Sequence, residues 1–342
     1  MTDEPYGIIL TGLTDAVRRS YDRWARQAVD WDLTSEPEDQ PDARQTTIGK
    51  TVSVTGPGTF FGRERRTLTF EPTTQQGWWF DRTDQADALP IRVSVRNVWT
   101  TVRNIVLRSG SPHNYMRMVE HIIALRLGMG LDNVMVKADS GDPPLFDRGS
   151  MDLVEALDSA GVERQSVCVP YVTVKEPVTA GGANGSFLTF LPCDPSRLCL
   201  EMDCAIDFPD AIGRQRIRFN LNHKHFRYGA LARTNSTTSM KMYFDTVGKL
   251  FADIRNMGYT DRNILIAGKR RYWNVPLLMH EGKSLEAAWH RALLDLLAAI
   301  ALIDQGRFVG RVISYKAGHT LDVAMIRLLH KYNVLTTLPG PN

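Results

Sequence analysis

Between residues 13 and 31 the apolar positions Leu13, Val17, Tyr21, Trp24, Ala28 and Trp31 recur at steps of three and four, with Arg18, Arg19, Asp22 and Arg23 between them. That period predicts an amphipathic helix. It vanishes over residues 34–47, where Glu36, Pro37, Glu38, Asp39, Pro41 and Asp42 predict an acidic linker. The folded core is expected to start after it. Short β-rich runs at 51–54 and 67–70 then alternate with turns such as Gly56-Pro57-Gly58. Helical spacing returns at 117–127, closed by Gly128 and Gly130; a strand is expected at 133–138 and a helix at 151–160. A second round begins near Ser166. Strand-like runs at 167–174 and 187–190 flank Gly181-Gly182-Ala183-Asn184-Gly185, whose Asn-Gly pair signals a hairpin. Runs at 198–206 and 216–225 continue the sheet, with Ile217, Phe219 and Leu221 on one face and His223 and His225 alternating beyond them. Helices are expected at 240–256, 285–303 and 321–331. The pattern gives an α+β protein of two similar layered domains, each a β-sheet packed with helices, at 45–165 and 166–342. Residues 1–44 form an N-terminal helical extension.

Composition narrows the class. Of 342 residues, 43% are hydrophobic and 23% charged, which excludes a disordered or low-complexity chain. A formal net charge of +3 excludes a dedicated nucleic-acid binder, whose domain would carry a concentrated basic face. Cys168, Cys193, Cys199 and Cys204 form no Cys-x-x-Cys pair and read as reduced structural thiols. Residues 1–11 carry Asp3 and Glu4 in place of a basic signal-peptide region, and the apolar run 292–303 is short of the roughly 20 residues that span a bilayer. The expected location is cytoplasmic. The stripe over 13–31, with Arg18, Arg19, Arg23 and Arg26, suits packing on its own domain, self-association, a protein partner or a peripheral membrane contact.

Several residues could carry chemistry. Asp295 lies in the apolar run 292–303, where a carboxylate needs a cation, a metal or several donors; Arg291, one turn earlier, is the simplest partner. His290 and Glu286, also one turn apart, read as a solvated helix pair. Glu120 and His121 point about 100° apart on their helix, so both can border one cleft. There a Glu can take a proton from water while the His binds a metal. His319 closes Tyr315-Lys316-Ala317-Gly318-His319 at a strand–helix junction, a place for a general acid, with Lys316 as an anion binder. Lys269-Arg270-Arg271 could meet a phosphate or simply be solvated.

Read together, these pieces resemble the zinc-dependent UDP-3-O-acyl-N-acetylglucosamine deacetylase family of lipid A biosynthesis, from about Gln45 to Val334. Met118-Val119-Glu120-His121-Ile122 followed by Gly128-Met129-Gly130-Leu131-Asp132-Asn133 matches the family's Val-Glu-His helix and its Gly-Leu-Gly-Ile-Asp-Asn ending. Pro144-Leu145-Phe146-Asp147-Arg148-Gly149-Ser150, Ile206-Asp207-Phe208-Pro209, Ala232-Arg233-Thr234 and the loop ending at His319 follow in the family's order. The resemblance implies a metal-dependent amidohydrolase acting on an acylated, nucleotide-linked N-acetyl amino sugar, a small lipid-sugar nucleotide. It implies Glu120 as general base, Thr234 as oxyanion donor and His319 as the acid on the leaving amine. Zinc would sit on His121, His290 and Asp295, with Arg291, Lys316 and Asn235 at the substrate. A non-catalytic homologue that binds a ligand or partner protein is the alternative.

The departures from the family pattern are specific. The family's His-Lys-x-x-Asp is here His290-Arg291-Ala292-Leu293-Leu294-Asp295, one residue longer. On a regular α-helix that interval leaves the two side chains about 140° apart. A π-bulge near 292–294 would return both to one face, toward His121. A regular helix with Asp295 paired to Arg291 would leave no metal site. Asn235 replaces a phenylalanine, and Ala299 stands where the family has the aspartate that partners the late histidine.

Overall fold

Alternating burial builds the first sheet. The computed structural model describes residues 5–60, 64–237 and 259–341. Leu68 and Phe70, Trp78 and Phe80, and Val134, Val136 and Ala138 are all buried, so one face of their three strands enters the core. The strand order is Val52–Pro57, Arg65–Pro72, Val134–Ala138, Trp78–Arg82, Ile91–Arg92, antiparallel except where Val134–Ala138 lies parallel to Trp78–Arg82.

The second sheet has seven strands, ordered Ile8–Thr11, Val178–Gly181, Phe187–Leu191, Gly310–Tyr315, Leu200–Asp207, Arg214–Asn220, Trp31–Leu33. Both edges come from the N-terminal segment, which adds a parallel strand at each end. Helix α1, Thr14–Arg26, joins them and buries Val17, Ser20 and Trp24. Trp24 packs with Phe187, Ala205, Ile313 and Tyr315 on one face of the sheet. Arg216, held by Asp203 at 2.9 Å, lies 4.2 Å over the Trp24 ring. The segment is therefore a strand–helix–strand unit built into the fold, and packing on its own chain is the outcome for the stripe read at 13–31. Trp31 belongs to a strand instead of the helix. The acidic linker is pinned as well: Glu36 meets Lys224 at 2.7 Å, Asp42 meets Arg307 at 2.8 Å, and Glu38 pairs with Arg197.

Helices α2 (Glu120–Gly128) and α3 (Met151–Ala160) belong to the first half. In the second, α4 (His223–Gly229) opens where a strand was expected, capped by the Asn222 side chain, which accepts the His225 N–H at 2.7 Å. His223 and His225 thus start a helix and do not alternate along a strand. The hairpin partner of Phe187–Leu191 is Val178–Gly181; the run at 167–174 divides between the strands Val162–Cys168 and Tyr171–Val174. The helix expected at 240–256 lies outside the described residues. Helix α5 runs from Glu286 to Ile300, and α6 spans His319–Lys331. The second half of α5 packs against α2. Among the described residues no helix is long and apolar enough to cross a membrane.

Candidate active site

Helix α5 is not regular. After an α-turn over Glu286–Trp289 it widens to a π-helix over His290–Leu296, then returns to α over Leu297–Ile300. The Leu297 N–H reaches the Ala292 carbonyl, a five-residue closure. The extra residue is absorbed as expected from its spacing: His290 Nδ1 lies 3.5 Å from Asp295 Oδ1. Arg291 does not pair with Asp295. Its buried guanidinium donates to Asp322 Oδ1 at 2.5 Å, to the Ala317 carbonyl at 2.9 Å and to Ser314 Oγ at 3.3 Å. It ties α5 to the loop before His319.

Five further side chains converge on this turn. The His121 and His290 ring centroids are 5.4 Å apart. Thr234 Oγ1 lies 3.1 Å from His290 Nε2 and 3.5 Å from His121 Nε2. His319 Nε2 lies 3.5 Å from Asp295 Oδ1 and 4.0 Å from Glu120 Oε1. Glu120 Oε2 accepts the Ile105 N–H at 3.1 Å, which aims the other oxygen at His319. Ser150 Oγ donates to the His121 carbonyl at 3.2 Å and sits 3.3 Å from His121 Nδ1. Its oxygen can therefore accept from Nδ1–H, leaving Nε2 with a lone pair on the Thr234 side.

The electrostatics separate these groups. Burial, then the neighbouring His290, pushes His121 down to about 3, so it is a neutral imidazole. Burial pushes the Glu120 carboxyl up. Burial would also raise Asp295, but His290 and His319 outweigh it and hold the carboxyl below its usual range. For His319 burial works downward and is overcome by Asp295, Glu120 and Asp322, which raise it above the ordinary imidazole value.

Among the described residues no three His, Cys, Asp or Glu side chains stand ready as a metal-binding group. The donor chemistry nevertheless fits zinc, which takes imidazole and carboxylate ligands. Asp295 Oδ1 is buried without a hydrogen-bond partner, an acceptor the protein leaves unsatisfied beside two imidazoles.

Of the remaining candidates, Lys316 is 3.8 Å from Asp207 and holds φ at +53°. Asn235 follows Thr234 on the strand Thr234–Thr237, so it points to the opposite face. Glu286 is buried, not solvated: its carboxylate takes Arg233 Nε at 2.7 Å and the Arg233 N–H at 3.1 Å, fixing the residue before Thr234. Sequence reasoning missed Ser150 and Asp322 as supports. Asp322, three residues after His319 and fully buried, was the one with a signal, since that spacing puts both on one side of α6.

The sequence profile of the UDP-3-O-acyl N-acetylglycosamine deacetylase family (LpxC) matches residues 45–331. Proteins named UDP-3-O-acyl-N-acetylglucosamine deacetylase from Brucella ovis and Brucella canis are 26% identical over 288 residues, which is 84% of this chain and 95% of theirs. The match takes in both sheets' central strands, the π-turn and the loop before His319, and it shows that this chain belongs to the UDP-3-O-acyl N-acetylglycosamine deacetylase family.

Proposed function

We propose that the protein is a zinc-dependent deacetylase that hydrolyses the N-acetyl group of an acylated, nucleotide-linked amino sugar in lipid A synthesis. The observation that carries this reading is the π-turn: it brings His290 and Asp295 within 3.5 Å although five positions separate them. A buried carboxylate oxygen that lies between two imidazoles without a hydrogen-bond partner, in an otherwise apolar helix, supports a place for a cation. His121, His290 and Asp295 would hold zinc, which when bound supplies a Lewis acid that polarises the amide carbonyl. Glu120 takes the proton from the attacking water, and burial helps by making the carboxylate a stronger base. Thr234 Oγ1 donates to the oxygen that becomes negative as the carbonyl carbon turns tetrahedral. His319, whose pKa Asp295, Glu120 and Asp322 raise against burial, passes a proton to the departing nitrogen. Water and amide become acetate and amine.

Metal content tests the reading. Full-length protein purified without chelator should carry one zinc per chain, and Asp295→Ala should lose most of it with its melting temperature preserved. Metal-free wild type that takes up no zinc on titration would instead support the non-catalytic homologue.

A further inference from the structure

The segment after the strand Ile264–Ala267 is absorbed by none of this chemistry. It turns at Gly268, whose N–H meets the Arg271 carbonyl at 3.0 Å, and runs back beside the strand, the Trp273 N–H reaching the Ile266 carbonyl at 2.9 Å. From Arg271 to Met279 every second side chain faces solvent. Trp273 is 69% exposed, Val275 81%, Leu277 49% and Met279 46%. The Asn274 side chain and the backbone of the outward residues anchor the segment. Asn274 Nδ2 donates to the Ile264 carbonyl at 2.6 Å and its Oδ1 accepts the Ile266 N–H at 2.8 Å. Arg233 Nη2 holds the Val275 carbonyl at 2.8 Å, and Glu286 Oε2 accepts the Leu277 N–H at 2.6 Å. Four large apolar side chains are thus held outward by a fixed backbone, and Arg233 and Glu286, which hold it, also fix Thr234.

The charge pattern says what covers this stripe. The turn carries Lys269, Arg270 and Arg271, all exposed, and no Asp or Glu occurs from Gly268 to His280. Among the described residues none of the three basic side chains is in an ion pair. An aliphatic and tryptophan stripe beside three exposed cations matches the boundary of an anionic bilayer, where the indole and aliphatic groups enter the headgroup region and the cations meet lipid phosphates. We infer that residues 269–279 form a membrane-docking hairpin that seats the protein on anionic lipid, with the strand bearing Thr234 next to the bilayer. The inference stands apart from the deacetylase reading, since its test reads lipid binding alone.

The test is co-sedimentation of the full chain with vesicles of phosphatidylcholine and phosphatidylglycerol, against phosphatidylcholine alone. Wild type should pellet with the anionic vesicles and be released by salt. Each basic residue at such a surface contributes about fivefold, so K269Q/R270Q/R271Q should lower partitioning on the order of a hundredfold. W273S/V275S should also detach the protein. If that pair lowers the melting temperature, the charge variant, whose side chains are exposed, decides. No binding of wild type to anionic vesicles would overturn the inference. So would undiminished binding of the charge variant, or a dimer in solution that depends on Trp273.

Discussion

Glu120 and His319 face each other across 4.0 Å and are both raised above their ordinary values, for different reasons. Burial raises the carboxyl; nearby carboxylates raise the imidazole against burial. A base works ionised, so activity should fall as pH drops through the raised Glu120 value. An acid works protonated, so activity should also fall as pH rises through the raised His319 value. The profile of kcat/KM should be a bell, and His319→Gln should remove its alkaline limb while costing roughly 10²- to 10⁴-fold in kcat. An intact alkaline limb in that variant would argue against the role. Glu120→Ala should lose at least about 10²-fold in rate with zinc content unchanged. At this scale the named family residues were legible because each sits in a short motif. Asp322 carried only its spacing from His319 as a signal, because one aspartate on an amphipathic helix looks the same whether it faces solvent or a buried arginine.

Among the elements, α5 is the one whose irregularity was legible, since one inserted residue between two polar positions in an apolar run can be absorbed in few ways. What holds it was not. Arg291 read as a substrate cation, yet it lies buried against Asp322, which ties α5 to α6. Arg291→Gln should therefore destabilise the fold by roughly 3–5 kcal/mol, by stranding a buried carboxylate. Denaturant unfolding measures this; a variant of unchanged stability with a raised KM would restore the substrate role. The two glycines read as helix stops also divide. Gly130 has φ +62° and serves the turn, whereas a Cβ on Gly128 would lie 2.1–2.3 Å from the Phe226 ring. Gly128 is there so that α2 can touch α4, and Gly128→Ala should cost about 1–3 kcal/mol. Strand 214–220 was read five residues too far because Leu221, His223 and His225 keep the alternation going; the Asn222 cap, a side-chain choice, ends it.

For the whole molecule, the α+β layering followed from the change of period along the chain, but the place of residues 1–44 did not. Local pattern showed a helix and an acidic run. The pairings that fix them lie far away in sequence, Ile8 with Val178, Trp31 with Ile217, Asp42 with Arg307. Deleting residues 1–44 strips both edges of the seven-stranded sheet and uncovers Phe187, Ile313 and Tyr315, so the melting temperature should fall by many degrees or the protein should aggregate. An equally stable truncated core would show that the segment merely docks. On the proposed reading all these parts serve one site, where α2 meets a π-turn that would supply zinc ligands. The most direct measurement of that claim is acetate release from a UDP-3-O-acyl-N-acetylglucosamine by full-length protein, before and after chelation. Turnover that chelation abolishes and zinc restores is the expected result; zinc-supplied, folded wild type that releases no acetate would contradict it.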